Sequence, residues 1–179
     1  MTFPVLVDHL RRFAVREGDF VLKSGRRSRW FVDAKQTLCR PDGILAVADA
    51  ALSVIPADVD AIGGLTMGAD PFAYGVAAVA ATRGRSLRSF SIRKESKDHG
   101  VTGRIAGALQ PGDRVVVVED TATRGTSALE AARAVREFGA EPVLICALVD
   151  RGGTGAELAR AEGIDFRALV TAAELGIDD

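Results

Sequence analysis

Hydrophobic side chains recur along the chain with the period of an α-helix in some segments and as strand-like runs in others. Residues 4 to 17 place apolar side chains at helical spacing before Gly18, which predicts an amphipathic first helix. The stretch FVLKSGRRSRWFVD has apolar and aromatic residues on both sides of a polar Ser-Gly turn, which predicts a β-hairpin. Pro41 then begins a second helical pattern that ends at Pro56. The first third of the chain is therefore predicted to be helix, hairpin and helix.

Strands and helices alternate through the rest of the chain. Asp70 and Pro71 predict the cap and first position of a helix that runs to about Thr82. The polar segment RKESKDHGVTGR, with its two glycines, is predicted as a long loop. The other predicted elements are strands at 60–65, 86–92, 115–118, 143–149 and 166–170, and helices at 127–138 and 154–162. This order predicts right-handed crossovers and a parallel sheet with helices on both faces.

A run of four valines, Val115 to Val118, leads directly into the acids Glu119 and Asp120. Because an unbroken β-branched run is typical of a central parallel strand, these acids are expected at its carboxyl end, where ligands bind in open α/β sheets. Ser127 and Glu130 predict a capping box for the next helix. The small residues between the acids and that helix therefore form a turn whose backbone amides favour a phosphate.

A phosphate-binding turn joined to two carboxylates suits a phosphorylated ribose, whose hydroxyls can donate hydrogen bonds to the acids. The segment contains neither a P-loop nor a dinucleotide fingerprint, so nucleotide hydrolysis is disfavoured. The motif alone leaves a second interpretation open, in which the acids simply end a strand and the turn is an ordinary connection to a helix.

Composition restricts the class of protein. The 179 residues carry a formal net charge of −1, with no basic stripe, so neither nucleic acid nor a membrane is an expected partner. The length suits a single domain spanning residues 1–179. Cys39 and Cys146 have no metal-binding spacing and are expected to be reduced thiols. The N-terminal sequence lacks a basic-then-apolar signal layout, so we expect a cytoplasmic location.

Three motifs together resemble a known family. VVVVEDTATRGTS resembles the phosphoribosyl pyrophosphate (PRPP) motif of type I phosphoribosyltransferases, and RKESKDHG and FVLKSGRRSRWFVD resemble the lid and hood segments of orotate phosphoribosyltransferases. The resemblance implies an α/β fold with a mostly parallel central sheet flanked by helices, a hood at about 1–40 and a core at about 41–179. It also implies transfer of the 5-phosphoribosyl group from PRPP to orotate, giving orotidine 5′-monophosphate and pyrophosphate, with Mg²⁺.

The resemblance assigns roles to individual residues. It implies catalytic roles for Glu119, Asp120 and Lys97, with Mg²⁺ held through PRPP and, as a candidate ligand, Asp120. The implied PRPP contacts also include Lys23, Arg93, Lys94, Lys97, His99, Thr121, Ala122, Thr123, Arg124, Gly125, Thr126 and Ser127. The implied orotate contacts are Thr123, Arg151, Trp30 and Phe31. A homodimer that shares lid residues between subunits is implied as well.

Some alternatives stay open at the level of sequence. Met67 stands where many relatives have a lysine that contacts pyrophosphate, and Arg124 where an alanine is common. Trp30 and Phe31 also suit a plain core role, and Arg151 also suits an ion pair with Asp150. The alternative functions are a purine or uracil phosphoribosyltransferase and a non-catalytic regulator of the same fold that senses nucleotides.

Overall fold

The computed structural model describes residues 2–21, 27–97 and 103–177, and eight strands and seven helices lie in these ranges. The strands are β1 Val15–Val21, β2 Arg27–Val32, β3 Ala61–Leu65, β4 Arg88–Lys97, β5 Gly103–Gly107, β6 Arg114–Ala122, β7 Glu141–Asp150 and β8 Asp165–Thr171. The helices are α1 Pro4–Phe13, α2 Lys35–Leu38, α3 Pro41–Val54, α4 Asp70–Thr82, α5 Thr126–Phe138, α6 Gly155–Ala161 and α7 Ala172–Leu175.

The predicted first helix is too long at its C-terminal end. Helix α1 ends at Phe13, and Val15, inside the predicted helix, begins β1 and pairs with Val32. The apolar spacing continues past the helix end because Ala14, which follows it, is fully buried. Strands β1 and β2 form the predicted antiparallel hairpin, and Ser28, Trp30 and Val32 alternate inward along β2.

The main sheet has six strands in the order β5-β4-β3-β6-β7-β8. Every neighbouring pair is parallel except β4 and β5. The predicted α/β architecture with a mainly parallel sheet is therefore confirmed. Strand β6 lies in the interior of this sheet, as expected for its continuous valine run.

The valines of β6 are buried on both faces of the sheet. Val116 and Val118 pack with residues of α1, α3 and α4, whereas Val115 and Val117 pack with residues of α5 and α6. Burial of one aliphatic side chain contributes about 1.5–3 kcal/mol, so the two faces together hold β6 firmly in place. The strand therefore carries its two terminal acids on a rigid support.

The segment predicted as a long polar loop is largely strand. Strand β4 continues to Lys97 and pairs with β5, which begins at Gly103. The polar composition of residues 93–97 hid the extension of β4, which pairs with a short strand at the edge of the sheet, where a strand needs no continuous apolar pattern. Residues 98–102 between the two strands are outside the described residues.

Helix α4 begins without the cap predicted for it. Ala69 occupies the N-cap and makes no side-chain bond, and Asp70 lies one position inside the helix. The Asp70 carboxylate instead accepts a hydrogen bond from the Ser91 hydroxyl at 2.6 Å, tying α4 to β4. Among the described helices, none has the length and apolar character needed to cross a bilayer.

Candidate active site

Three parallel strands end at one edge of the sheet. Gly63 of β3 pairs with Val117 of β6, and Ala122 of β6 pairs with Asp150 of β7, so the segments that follow these strands meet at this edge. They pack closely, because a Cβ on Gly153 would lie 2.3 Å from the Thr123 carbonyl oxygen. The predicted acids, the Thr/Gly/Ser turn and Arg151 are thereby brought together.

Glu119 is half-buried at this edge of the sheet and lies against the start of α5. Burial is the main cause that raises the pKa of its carboxyl to about 7, and the charge of Asp120 adds to it. Hydrogen bonds from the Ser127 side chain and the Ala128 backbone act in the opposite direction. Its Oε2 atom is buried and has no hydrogen-bond donor among the described residues. A buried carboxylate oxygen in this state is an acceptor ready for a ligand hydroxyl.

Asp120 is held on several sides. Its Oδ1 accepts from the Thr121 amide at 2.8 Å, and its Oδ2 lies 3.7 Å from the Lys35 ammonium. The glycine at position 68 leaves room for it, because a Cβ there would come within 2.8 Å of the carboxylate. The side chain is therefore fixed beside Glu119 in a pocket made by three separate segments.

The turn after the acids leads into α5 as predicted, but its cap is different. Gly125 is the N-cap in a left-handed conformation with φ +70°, and no side chain caps the helix. The capping box predicted from Ser127 and Glu130 is wrong, because Ser127 bonds to Glu119 and Glu130 pairs with Arg104. A larger residue than glycine would be excluded at position 125, where a Cβ would lie 2.6 Å from the Gly155 Cα.

The members of the turn differ in exposure. Thr121 is half-buried, Ala122 and Gly125 are buried, and the exposed members are Thr123, Arg124, Thr126 and Ser127. Exposed hydroxyls and the free amides at the start of α5 form an open surface that suits a phosphate. The side chain of Arg124 is exposed at its rim, where it adds positive charge.

Arg151 joins the turn to the hairpin. Its backbone amide donates to the Ala122 carbonyl at 2.9 Å, and its guanidinium carbon lies 4.0 Å from the centroid of the Trp30 ring. Trp30 is 4% exposed and belongs to the core, whereas Phe31 is 38% exposed and contacts the Phe20 ring in a tilted arrangement. A cavity of about 270 Å³ adjoins Trp30 and Arg151 and reaches residues 171–173.

The basic residues predicted to grip pyrophosphate are only partly described. Arg93 is half-buried on β4 and approaches the Gly103 carbonyl at 3.5 Å, and Lys94 is exposed beside it. Lys97 ends β4, but its side chain lies outside the described part of the structure, as do Lys23 and His99. Met67, at the position of the absent lysine, is 72% exposed in the loop after β3.

Sequence reasoning missed two residues at the site, Lys35 and Asp33. The Lys35 ammonium lies 3.3 Å from Asp33 Oδ1 as well as near Asp120. Burial pushes the pKa of Asp33 upward, but hydrogen bonds from Gln36 and Lys35 and nearby positive charge outweigh it and leave the pKa below its ordinary value. No pattern marked Lys35, since it lies in a connection between a predicted strand and a predicted helix.

The donor set bears on a metal ion. No group of three His, Cys, Asp or Glu side chains within the described ranges could enclose one. Glu119 and Asp120 nevertheless supply carboxylate oxygens at successive positions of β6, and Mg²⁺ commonly binds through one or two carboxylates together with phosphates of a substrate. The residues present therefore fit a Mg²⁺ ion that is held mainly by the substrate.

Comparison with known proteins identifies close relatives. The phosphoribosyl transferase domain family matches residues 40–161. The chain is 41% identical over 171 residues to an orotate phosphoribosyltransferase of a Nostoc species. The aligned region covers 95% of this chain and 83% of that protein. It superposes with a TM-score of 0.84 on the Mycobacterium tuberculosis orotate phosphoribosyltransferase in complex with Fe(III) dicitrate, at 36% identity and covering 96% and 97% of the two chains.

A second crystal structure of the M. tuberculosis enzyme contains PRPP. It matches this chain with a TM-score of 0.80 and 34% identity, and covers 96% of this chain and 97% of that one. The regions matched therefore include the β1–β2 hairpin as well as the main sheet.

Proposed function

The chain belongs to the phosphoribosyl transferase domain family and, within it, to the orotate phosphoribosyltransferases, and we propose how its residues perform that reaction. The bond from ribose C1 to the pyrophosphate oxygen breaks, a bond to N1 of orotate forms, and the N1 proton is released to pyrophosphate or solvent, giving orotidine 5′-monophosphate and pyrophosphate. This step belongs to the biosynthesis of pyrimidine nucleotides. The proposal assigns the ribose, phosphate, base and pyrophosphate to separate parts of the site.

The observation that carries the proposal is the acid pair at the tip of β6. Glu119 Oε2 is buried without a donor among the described residues, and Asp120 lies beside it in a fixed orientation. Two neighbouring acceptors suit the two vicinal hydroxyls of a ribose. The negative charge of Asp120, and of Glu119 in its ionised form, also stabilises the positive charge that builds on the ribose ring as pyrophosphate leaves.

The turn from Thr121 to Ser127 is proposed to bind the 5′-phosphate. Gly125 brings the backbone to the start of α5 with free amides, and the exposed Thr123 and Thr126 add hydroxyls. The positive end of the helix dipole favours the dianion further. Ser127 has a different role in this proposal, because its side chain is bonded to Glu119.

Orotate is proposed to bind between the turn and the hairpin. The guanidinium of Arg151 stacks on Trp30 and its backbone amide is bonded to Ala122, so its guanidinium fork is positioned for the orotate carboxylate. Thr123 and the exposed Phe31 complete the proposed base contacts. Trp30 acts mainly by supporting Arg151, since its ring is buried in the core.

The basic residues of β4 and the segment after it are proposed to bind pyrophosphate. Arg93 and Lys94 are described, and Lys23, Lys97 and His99 are assigned through the family resemblance alone. Lys97 is proposed to act in catalysis by neutralising charge on the leaving group. Met67 cannot supply a positive charge, so Arg93 is proposed to contribute more to the binding of pyrophosphate.

Mg²⁺ is proposed as the cofactor. It would be held by PRPP oxygens with Asp120 as the candidate protein ligand, and when bound it supplies positive charge that offsets the charge of pyrophosphate.

A homodimer that shares lid residues is also proposed, on the family resemblance. We propose a cytoplasmic location, which the two unpaired cysteines support, since a reducing compartment keeps thiols free.

The test is a comparison of bases under one set of conditions. Initial rates with PRPP and Mg²⁺ are measured for orotate, uracil, adenine and hypoxanthine, following pyrophosphate release and the nucleotide formed. The proposal expects turnover with orotate and rates lower by about a hundredfold or more with uracil, which lacks the carboxylate that Arg151 binds. Preference for another base would favour a purine or uracil enzyme. PRPP binding without pyrophosphate release from any base would favour the regulator.

A further inference from the structure

Lys35 forms an ion pair with Asp120 and has no part in the substrate contacts proposed for the site. Its ammonium lies between two carboxylates, 3.7 Å from Asp120 Oδ2 and 3.3 Å from Asp33 Oδ1. Asp120 lies near the carboxyl end of β6 in the main sheet, whereas Asp33 directly follows β2 of the hairpin. One side chain therefore connects the ribose-binding acid to the segment that carries Trp30 and Phe31.

The backbone that carries Lys35 is well anchored. Helix α2 begins at Lys35, and its neighbours Ala34, Thr37 and Leu38 are buried. The Thr37 hydroxyl lies 3.1 Å from a ring nitrogen of His9, which ties this short helix to α1. The main chain at Lys35 is therefore fixed, and the attraction of the two acids favours the observed position of the ammonium although the side chain is 45% exposed.

The remaining contacts of Asp120 show what Lys35 adds. A carboxylate offers about four lone-pair directions, and the Thr121 amide occupies one of them on Oδ1. The Lys35 ammonium lies 3.7 Å from Oδ2 as an ion pair without a direct hydrogen bond, so the lone pairs of Oδ2 stay open to ribose hydroxyls. Without the ammonium, Asp120 would face the like charges of Glu119 and Asp33, and its carboxylate would be free to rotate away from the ribose.

We propose that Lys35 is a positioning residue that holds the Asp120 carboxylate in the orientation that accepts ribose hydroxyls, with Asp33 as its own anchor. The inference rests on the proposed role of Asp120 in PRPP binding. Lys35 acts through Asp120 and does not itself touch the substrate. The half-exposed ion pair contributes little to folding, since such pairs stabilise proteins by at most about 1 kcal/mol.

A double-mutant cycle tests this claim. The proteins are wild type, Lys35→Met, Asp120→Asn and the double variant, and the measurements are kcat/KM for PRPP and the PRPP dissociation constant by calorimetry without orotate. We expect Lys35→Met to lower kcat/KM and to raise the PRPP dissociation constant, each by about tenfold, because misplacement of a catalytic group is costly. In the Asp120→Asn background the same change should alter them by less than about twofold. Lys35→Arg should restore most of the loss.

A matched control is Arg83→Met, which removes the cation from an ion pair of comparable exposure. Arg83 directly follows α4, and its partner Asp49 lies in α3. Arg83→Met should leave both quantities unchanged, and the melting temperatures of all variants should agree closely. An unchanged Lys35→Met protein, or equal losses in both backgrounds, would overturn the inference. Absence of turnover in wild type would instead count against the proposed function, and the PRPP dissociation constants would still decide the role of Lys35.

Discussion

The guanidinium of Arg151 lies over the indole ring of Trp30, 4.0 Å from its centroid. This stacking keeps a cation beside the phosphate turn, and a desolvated cation over an aromatic face gains about 2 kcal/mol or more. Arg151 follows β7 directly, and its amide bond to Ala122 fixes where the side chain begins. The geometry therefore prepares the guanidinium for an incoming carboxylate.

We expect Arg151→Ala to raise the KM for orotate with a smaller effect on the KM for PRPP. Hydrogen bonds to charged groups contribute about 1.5–3 kcal/mol, so the increase should be roughly tenfold to a hundredfold. Arg151→Lys should be intermediate, since it keeps the charge but loses the planar fork. Steady-state kinetics with each substrate varied provides the measurement, and Arg160→Ala on α6 is the control. An unaltered orotate KM would contradict the assignment.

Asp120→Asn should lower kcat by about a hundredfold or more, because the neutral amide cannot stabilise positive charge on the ribose. The fold should survive, since the amide has nearly the shape of the carboxylate and the pocket at Gly68 is kept. The control is Asp58→Asn, which weakens an exposed ion pair with Arg114. Circular dichroism and kinetics on both variants separate folding from catalysis. Full activity in Asp120→Asn would remove this residue from the mechanism.

Stability should depend on pH through Glu119. Burial, with the charge of Asp120, raises its pKa to about 7 in the folded protein, from an ordinary value of 4.5 that we take for the unfolded chain. The folded state therefore binds more protons between these values, and the free energy of unfolding falls as the pH rises from about 4.5 to about 7. Below pH 4.5 the Glu119 side chain is protonated in both states and no longer changes the free energy of unfolding with pH.

Glu119→Gln removes this titration. Its melting temperature should exceed that of wild type at pH 8, and the difference should shrink at pH 5. Calorimetry of both proteins at several pH values provides the measurement, with Glu137→Gln on the exposed face of α5 as the control. A difference that does not vary with pH would show that the Glu119 carboxyl titrates normally.

Much of this arrangement could be predicted from the sequence because burial leaves a strong pattern. The valine run identified the central strand, and the acids and small residues after it marked the ligand-binding edge. Elements without a buried face gave no such signal. The extension of β4 is polar, edge strand β5 is short with Ile105 and Ala106 as its apolar residues, and Ala14 continued a helical pattern beyond the end of α1.

Local rules failed where tertiary contacts used the same side chains. Ser127 and Glu130 have the spacing of a capping box, but each makes a contact outside the helix, with Glu119 and Arg104 respectively. Asp70 similarly accepts from Ser91. Lys35 could not be predicted to approach Asp120, because that contact depends on how the hairpin packs against the sheet.

The two thiols should differ in reactivity. Cys39 is exposed, whereas Cys146 is fully buried in β7 and burial raises the pKa of its thiol to about 12. Since the thiolate is the reactive form, a thiol reagent at pH 8 should label Cys39 alone in the native protein and both cysteines after denaturation. Cys39→Ser should abolish native labelling. Rapid native labelling of Cys146 would mean that the central sheet opens readily.

A crystal structure with bound PRPP tests the central claim most directly. The account predicts that the ribose hydroxyls lie within hydrogen-bond distance of Glu119 and Asp120, and that the 5′-phosphate lies against the backbone amides between Thr123 and Ser127. PRPP bound with its ribose away from both carboxylates, or with its 5′-phosphate elsewhere, would contradict the account.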